Sequence, residues 1–458
     1  MAVCSAILLR WLSFYGPIVF IPVTILLMAI YSVLPFLKQG VPMGGILNNT
    51  TIWWGISFLI LIAFLFSRYY FFDKRNQDNM LIVWLYLLWN FICIIRGVFV
   101  AESYWDWKGL INNAMALLLP IVIFSATNKM MVQSLFSFFI KYALPLFVVF
   151  ALIIITGAYG FYLMPISILL LFLPAFSKRQ KIFLLLITIF VIVSDLTARS
   201  NVIKFGVPLL ILGIYFLKDK ISVKWIEGIR LSLFITPVLL FVLGVTDVFN
   251  VFNMDEYIES DYAAVGIDAE GNRTEESVTV DTRTFLYVEV LESAINNNYW
   301  LLGRTPARGN DSEAFGDWAF DITGRYERLS NEIGLANVFT WTGIVGVILY
   351  FLLFFRASYL AVNKSNNIYV KMTGIFVAFR WLYAWVEDIN NFTLNYFMLM
   401  ITLGICFSYS FRKMTDKEVI IWVRGVFDVR FVRYQYYLMG KRKYEAKMNM
   451  NEKKLTTP

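Results

Sequence analysis

Residues 283 to 346 read RTFLYVEVLESAINNNYWLLGRTPARGNDSEAFGDWAFDITGRYERLSNEIGLANVFTWTGIVG. This segment is polar and then runs directly into an apolar stretch, whereas most of the remaining chain is apolar. Its arginines are Arg283, Arg304, Arg308, Arg325 and Arg328. Because a guanidinium presents a planar fork of donors that matches phosphate oxygens, this density of arginine predicts a site for a phosphate-bearing ligand.

The composition around this segment is that of a membrane protein. Of the 458 residues, 59% are hydrophobic, 18% are aromatic and only 16% are charged. These values exclude an ordinary soluble globular protein and predict an all-α polytopic membrane protein. The formal charge of +8 lies mostly beside apolar runs and in the last residues, where membrane topology explains it, so we expect no nucleic-acid partner.

The chain contains no histidine and three cysteines, Cys4, Cys93 and Cys406, which are far apart in sequence. The absence of histidine excludes histidine acid–base catalysis and histidine-ligated metal. The cysteine spacing indicates neither a disulfide framework nor a cysteine metal site. We therefore expect no metal ion and no cofactor.

Apolar runs of about 20 residues are long enough to cross a bilayer. The sequence predicts about twelve of them, near 16–37, 52–67, 80–100, 109–126, 135–156, 158–176, 181–198, 201–217, 229–249, 334–355, 370–386 and 391–411. The first is interpreted as a span and not as a cleaved signal peptide. The chain thus divides into nine spans in 1–249, a large loop in 250–333, three spans in 334–411 and a basic tail in 412–458.

The distribution of lysine and arginine predicts the orientation. Alternate short loops carry most of these residues, whereas the intervening ones carry only Lys38, Lys108, Arg199 and Lys204 with several carboxylates. We therefore expect both termini in the cytoplasm and the large loop on the opposite, outward side. The basic tail, with Lys441, Arg442 and Lys443, then anchors the topology beside anionic lipid.

The large loop has two parts. Residues 254–282 are acidic, and Gly271-Asn272 indicates a turn of a small hairpin or a disordered stretch. From Thr284 the spacing of Val288, Leu291 and Ile295 predicts an amphipathic helix at the membrane surface. A second helix is expected to begin near Thr323 and to run into the tenth span, which would place Arg325, Arg328 and Glu332 on one face.

Three further arginines come to the outward side on this topology: Arg96, Arg199 and Arg380. The positive-inside rule works against arginine on that side, so an anionic substrate there explains the enrichment. The alternative is local pairing, of Arg199 with Asp195 and of the loop arginines with Glu313, Asp317, Asp321, Glu327 or Glu332. The sequence leaves both interpretations open.

Several motifs together resemble the O-antigen polymerase and O-antigen ligase superfamily. They are the Arg199-Ser200 step, the arginine that opens the loop helix at Arg283, the Leu302-Gly303 step, and the run Trp341-Thr342-Gly343-Ile344-Val345-Gly346. The similarity is specific over 195–204 and 283–350, and elsewhere it extends only to topology.

The resemblance implies an integral-membrane glycosyltransferase of GT-C-like architecture in the bacterial inner membrane. The donor in that family is a glycan on undecaprenyl pyrophosphate, and transfer occurs at the periplasmic face. The ligases carry a histidine at the place that Ser330-Asn331-Glu332 occupies here. Its absence favours a polymerase, which extends a lipid-linked repeat unit for O-antigen, capsule or exopolysaccharide and can work with a chain-length regulator.

The resemblance also suggests roles for residues. Arg199 and Arg283 are expected to bind the donor pyrophosphate, and Glu332 either takes the acceptor proton or bridges to Arg328. The expected ligand-binding set is Arg96, Arg304, Arg308, Arg325, Arg328, Arg380 and Asn331. Two alternatives remain: an O-antigen ligase, and a polysaccharide flippase, whose polar residues would line a central path.

Overall fold

The computed structural model describes residues 16–38, 49–72, 80–195, 198–246, 263–267, 273–277 and 284–435. Arg283 lies outside the described residues, as do most of the acidic part of the loop and the tail beyond 435. The predictions for those segments therefore stay predictions.

The described part of the chain is mostly helical. Before the loop, the helices are α1 Gly16–Val33, α2 Thr50–Phe71, α3 Leu81–Val100, α4 Tyr104–Ala126, α5 Lys129–Ile153, α6 Tyr159–Tyr162, α7 Met164–Leu170, α8 Lys178–Ser194, α9 Arg199–Phe216 and α10 Val223–Val245. Within and after it are α11 Thr284–Asn296, α12 Gly316–Thr323, α13 Gly334–Asn363, α14 Ile368–Tyr383, α15 Leu394–Phe407, α16 Tyr409–Arg412 and α17 Asp416–Arg424.

Seven helices of the described residues, α2, α3, α4, α5, α9, α10 and α13, are long and apolar enough to cross a membrane. The chain is therefore a multi-pass membrane protein built of helices. Helices α1 and α15 are apolar but shorter. The count of twelve spans and the GT-C-like arrangement stay predictions.

The centre of the bundle is α15, in which every residue is buried. Helix α4 approaches it so closely that a side chain at Gly404 would meet Ala126. Helices α13 and α14 also pack beside α15, and they approach each other closely, since Gly374 of α14 lies against Ala361 of α13. By contrast, α2 and α3 expose large apolar side chains such as Leu59 and Phe99, as helices that face lipid do.

Residues 284–333, called the lid module here, lie at one end of the bundle, which we call the lid face. The module contains α11 and α12 and a short antiparallel pair, β3 Asn310–Asp311 with β4 Glu327–Arg328. The predicted helix from Thr323 into the next span is wrong. Helix α12 ends at Thr323, because Gly324 adopts a left-handed φ of 72°, and α13 begins only at Gly334.

Helix α11 forms where it was predicted. Its buried residues include Leu286 and Val290, which pack against Ile333 at the start of α13. Val288 and Ile295 are exposed on the other side. Their contact with a membrane surface stays a prediction.

The hairpin proposed for the acidic part of the loop is also present. Its strands are β1 Ala263–Ile267 and β2 Arg273–Ser277, paired antiparallel, with Ile267 opposite Arg273. The predicted turn at Gly271-Asn272 falls between the two described strands.

Candidate functional site

The lid module is joined to the membrane bundle at a break in α13. Gly343 interrupts the helix with φ 66° and ψ −172°, a conformation that glycine adopts readily. Two amides beyond the break donate outside the helix, Ile344 to the Trp300 carbonyl at 3.0 Å and Val345 to the Leu301 carbonyl at 3.4 Å. The lid module therefore satisfies the backbone groups that the break leaves free, as a membrane-embedded helix requires.

Two glycine steps quoted in the sequence meet at this break. Gly303 has φ 75°, and a Cβ there would lie 2.5 Å from the backbone nitrogens of both Thr342 and Gly343. The neighbouring Arg304 amide donates to the Thr340 carbonyl at 2.7 Å. The Leu302-Gly303 step and the Thr342-Gly343 step are thus one packing contact.

Arg96, on α3, stabilises the contact between the Leu302-Gly303 and Thr342-Gly343 steps. Its two terminal nitrogens donate to the carbonyls of Leu302, at 2.6 Å, and Gly303, at 3.1 Å. Asn113 on α4 adds a bond to the Pro306 carbonyl at 2.9 Å. Arg96 therefore positions the lid module, and these two donors are already in use.

Arg304 and Arg308 share one carboxylate. Glu327, whose side chain is only 8% exposed, accepts from Arg304 Nη2 at 3.0 Å and from Arg308 Nε at 2.7 Å. Arg304 also contacts Asp311 at 2.8 Å. Burial raises the pKa of Asp311, but the bonds from Arg304 and from Asn297 outweigh it and hold that pKa below its usual value.

Arg325 and Arg328 are paired as well. Arg325 reaches across to Asp106 at 3.1 Å and Glu102 at 2.9 Å, both beside the start of α4. Arg328 contacts Glu332 at 3.4 Å. The four described lid arginines therefore each contact a carboxylate, which is the local-pairing alternative, although Arg328 Nη1 is buried without a hydrogen-bond partner among the described residues. Their binding of a ligand stays a prediction.

Glu332 and Asn331 have structural contacts in this arrangement. The Glu332 side chain is 60% exposed and forms an ion pair with Arg328. Of the two roles expected for Glu332, proton acceptor or bridge to Arg328, the structure shows the bridge. Asn331 is buried, and its side chain donates to Asn310 Oδ1 at 2.8 Å, while its amide donates to Asn337 Oδ1 at 2.6 Å. This asparagine chain links the lid strands to α13.

Two buried cations on the lid face are compensated far less closely. Arg380 on α14 is 1% exposed and bonds Asn395 Oδ1 at 3.0 Å, and its Nε has no partner among the described residues. Lys204 on α9 is 2% exposed, with Ser200 Oγ at 3.2 Å and Glu387 Oε1 no closer than 3.9 Å. The two cations lie within electrostatic range of each other.

Another buried arginine shows what full compensation looks like. Arg230, on α10 near the end opposite the lid face, is 1% exposed and grips Glu227 with two bonds of 2.6 and 2.8 Å. Burying a charged group costs roughly several kcal/mol of desolvation free energy, which a close counter-charge offsets. That cost is offset at Arg230 but much less so at Arg380 and Lys204.

Arg199 stands at the N-terminus of α9, five residues before Lys204. It is exposed, and its guanidinium makes no hydrogen bond or ion pair with another described residue. The predicted alternative, pairing with Asp195, is not formed. Asp195 instead accepts from Thr156 Oγ1 at 3.3 Å and from the Ala198 amide at 3.2 Å.

The segment between α14 and α15 completes this face. Glu387 lies within electrostatic range of both Lys204 and Arg380. Asp388, next in sequence, accepts from the Asn390 amide at 3.0 Å and from Asn391 Nδ2 at 2.6 Å. Burial raises the pKa of Asp388 to about 6, although these hydrogen-bond donors lower it. We call Arg199, Lys204, Arg380, Glu387 and Asp388 the lid-face site.

The sequence reasoning found Arg199 and Arg380 but missed the other three members of this site. Lys204 was counted only as a loop charge, although it lies one turn into a helix and four residues after Ser200, on the same face. Glu387 and Asp388 were counted only as outward acidic residues. Their signal was the polar run Glu387 to Asn391 between two apolar helices.

A separate cleft of about 420 Å³ opens on the lid module between α11 and α12. Its charged lining is Glu289, Glu292, Asp311, Glu313 and Asp317, without a basic residue. This cleft repels a phosphate group, so it is not the site that the arginines predicted.

No group of three or more potential metal-binding side chains occurs within the described residues. No family model, curated protein or solved structure matches the chain.

Proposed function

We propose that the protein is a metal-independent glycosyltransferase that polymerises polysaccharide repeat units. It transfers a glycan from undecaprenyl pyrophosphate to an acceptor sugar on a second lipid-linked repeat unit. The donor pyrophosphate binds at the lid-face site, between Arg199, Lys204 and Arg380. The lid face is the periplasmic side of the bacterial inner membrane, and both termini are cytoplasmic.

The observation that carries the proposal is the pair of buried cations Lys204 and Arg380. Lys204 has its carboxylate partner, Glu387, only at 3.9 Å, and Arg380 has no ion pair among the described residues. A diphosphate supplies the missing negative charge and acceptors for the free Arg380 Nε. Arg199, exposed at the start of the same helix as Lys204, can reach a ligand without breaking an existing pair. When the bond between the glycan and the pyrophosphate breaks, negative charge develops on the phosphate oxygens. Positively charged hydrogen-bond donors stabilise that charge in the transition state by roughly several kcal/mol.

The contact between the two glycine steps supports the proposal independently. Leu302-Gly303 and Thr342-Gly343 are two of the motifs in which the chain resembles the polymerase and ligase superfamily, and they touch at the break in α13. Because a side chain at either glycine would strike the other segment, the two steps require glycine at Gly303 and Gly343 together. The lid module that they anchor would cover the lipid-linked substrates.

The test uses Lys204→Met, which removes the buried charge and keeps most of the side-chain volume. Since the buried ammonium has only a long ion pair with Glu387 and one hydrogen bond to Ser200, we expect this variant to fold at least as stably as the wild type. We also expect at least a tenfold loss of affinity for undecaprenyl pyrophosphate, measured on protein in nanodiscs. In its native host the variant should lose the long polysaccharide ladder on gels.

Arg430→Gln is the matched control, because that arginine is exposed, pairs with Asp428 and belongs neither to the lid module nor to the lid-face site. It should retain both binding and ladder. Wild-type binding and a wild-type ladder from Lys204→Met would contradict the assignment of the lid-face site. A wild-type protein that binds no undecaprenyl pyrophosphate would contradict the function itself.

A flippase is the second candidate, and the break in α13 favours it. Many secondary transporters form their substrate sites from broken membrane helices. Liposomes that contain the protein and a fluorescent lipid-linked glycan separate the two functions: a flippase moves the probe between leaflets, and a polymerase does not. An O-antigen ligase differs in its acceptor, so the identity of the product distinguishes it.

A further inference from the structure

We propose that Asp388 is the general base that removes the proton from the acceptor hydroxyl. This inference rests on the proposed function and adds to it a residue that the sequence reasoning did not assign. It concerns the segment that joins α14 to α15, the same segment that presents Glu387 to Lys204.

The position of Asp388 carries the inference. Its segment leads from Arg380 at the end of α14 to Asn395, the hydrogen-bond partner of Arg380, at the start of α15. The carboxylate is held by the Asn390 amide and by Asn391 Nδ2, and the Asn337 side chain lies beside it. It is fixed in place yet partly exposed, as a group that meets a substrate must be.

Two other carboxylates on this side of the molecule are already committed. Glu332 is exposed, and its carboxylate is engaged in an ion pair with Arg328 at 3.4 Å. Glu387 lies 3.9 Å from Lys204 and acts as its counter-ion. Asp388 has no cation within ion-pair distance among the described residues, so its lone pairs keep their affinity for a proton.

The surroundings of Asp388 tune it for this role. Burial raises its pKa most, its asparagine donors lower it, and Glu387 raises it slightly, so that the net pKa is about 6. Tyr350 on α13 and Tyr396 on α15 are the titratable groups that face it from the packed helices. A base whose pKa lies near the working pH transfers protons most effectively.

The step balances without a metal ion. The acceptor O–H bond breaks and its proton passes to the Asp388 carboxylate, while the acceptor oxygen forms a bond to the anomeric carbon of the donor glycan. The bond from that carbon to the phosphate oxygen breaks, and the electron pair leaves with undecaprenyl pyrophosphate. Asp388 then returns its proton to water. A single displacement of this kind inverts the anomeric configuration.

The experiment compares Asp388→Asn with Glu332→Gln. Membranes from the native host lacking this gene supply the lipid-linked repeat unit, and purified protein is added across pH 5 to 8. A positioned general base contributes about 10²- to 10⁴-fold. We therefore expect Asp388→Asn to polymerise at least about 100-fold more slowly, while its affinity for undecaprenyl pyrophosphate changes by less than about twofold.

The wild-type rate should fall as the pH drops through about 6, because the base becomes protonated. Glu332→Gln should keep the wild-type rate and pH profile. Polymerisation by Asp388→Asn at the wild-type rate, or persistence of the acid limb in its residual activity, overturns the assignment of Asp388 alone. A wild-type protein without polymerising activity overturns the proposed function as well. Retained binding of undecaprenyl pyrophosphate shows that the variant is folded.

Discussion

Replacing Glu327 by glutamine should loosen the lid module, because one carboxylate neutralises two guanidinium groups there. The side chains of Arg304 and Arg308 are only 15% and 18% exposed, and Glu327 is 8% exposed. Breaking a buried ion pair by removing one partner costs about 3 to 5 kcal/mol. Arg304 retains Asp311, and glutamine retains one acceptor oxygen, so we expect a loss of about 2 to 3 kcal/mol in the local stability of the module.

Hydrogen exchange measures this loss directly. The Ser312 amide bonds the Tyr326 carbonyl at 3.1 Å, and its exchange reports opening of the lid strands. Since each 1.4 kcal/mol is a factor of about ten, exchange should accelerate by about 30- to 140-fold. Glu332→Gln removes an exposed pair and should change it by less than about fivefold. Equal effects of the two substitutions would refute the view that Glu327 holds the module together.

Two further predictions follow from the same structure. Gly343→Ala should destabilise the protein by about 3 kcal/mol or more, because alanine at a positive φ is strained and its Cβ would strike the Leu301 carbonyl. Gly228→Ala, where the added carbon meets nothing within 4 Å, should be neutral or stabilising, and thermal midpoints in detergent distinguish the two. Asp388 should also make stability depend on pH. Its pKa is raised from 3.8 to about 6, so its contribution is full below the lower value and is lost as the pH rises through the upper one. The wild-type midpoint should therefore rise, relative to Asp388→Asn, as the pH falls from 7 to 5, and a constant difference would contradict this.

The sequence predicted the positions of the long apolar helices because apolar runs of that length have few other ways to satisfy their backbone groups. Their ends were less accurate, and the run 158–176, predicted as one span, forms the two short helices α6 and α7. It also placed an amphipathic helix at Thr284, from spacing alone. It failed between Thr323 and Gly334. There the charge spacing suited a helix, but the left-handed Gly324 and the pairing of Glu327 with Asn310–Asp311 decided the backbone.

The candidate site divides in the same way. Arginine density indicated the lid module, yet composition does not reveal which carboxylate each arginine meets. Arg325 finds Asp106, more than two hundred residues away in sequence. Asp106 was therefore beyond the reach of any local pattern, whereas the pairing of Arg328 with Glu332, four residues apart, was foreseen.

By itself, the sequence determined that this is a helical membrane protein without histidine chemistry and with cations concentrated around one loop, because hydrophobicity and composition are properties of the chain. Only the tertiary structure decided which cations are already neutralised. Coulomb energy depends on distance and burial, and folding places a carboxylate against each described lid arginine while it leaves Lys204 and Arg380 buried without a close one.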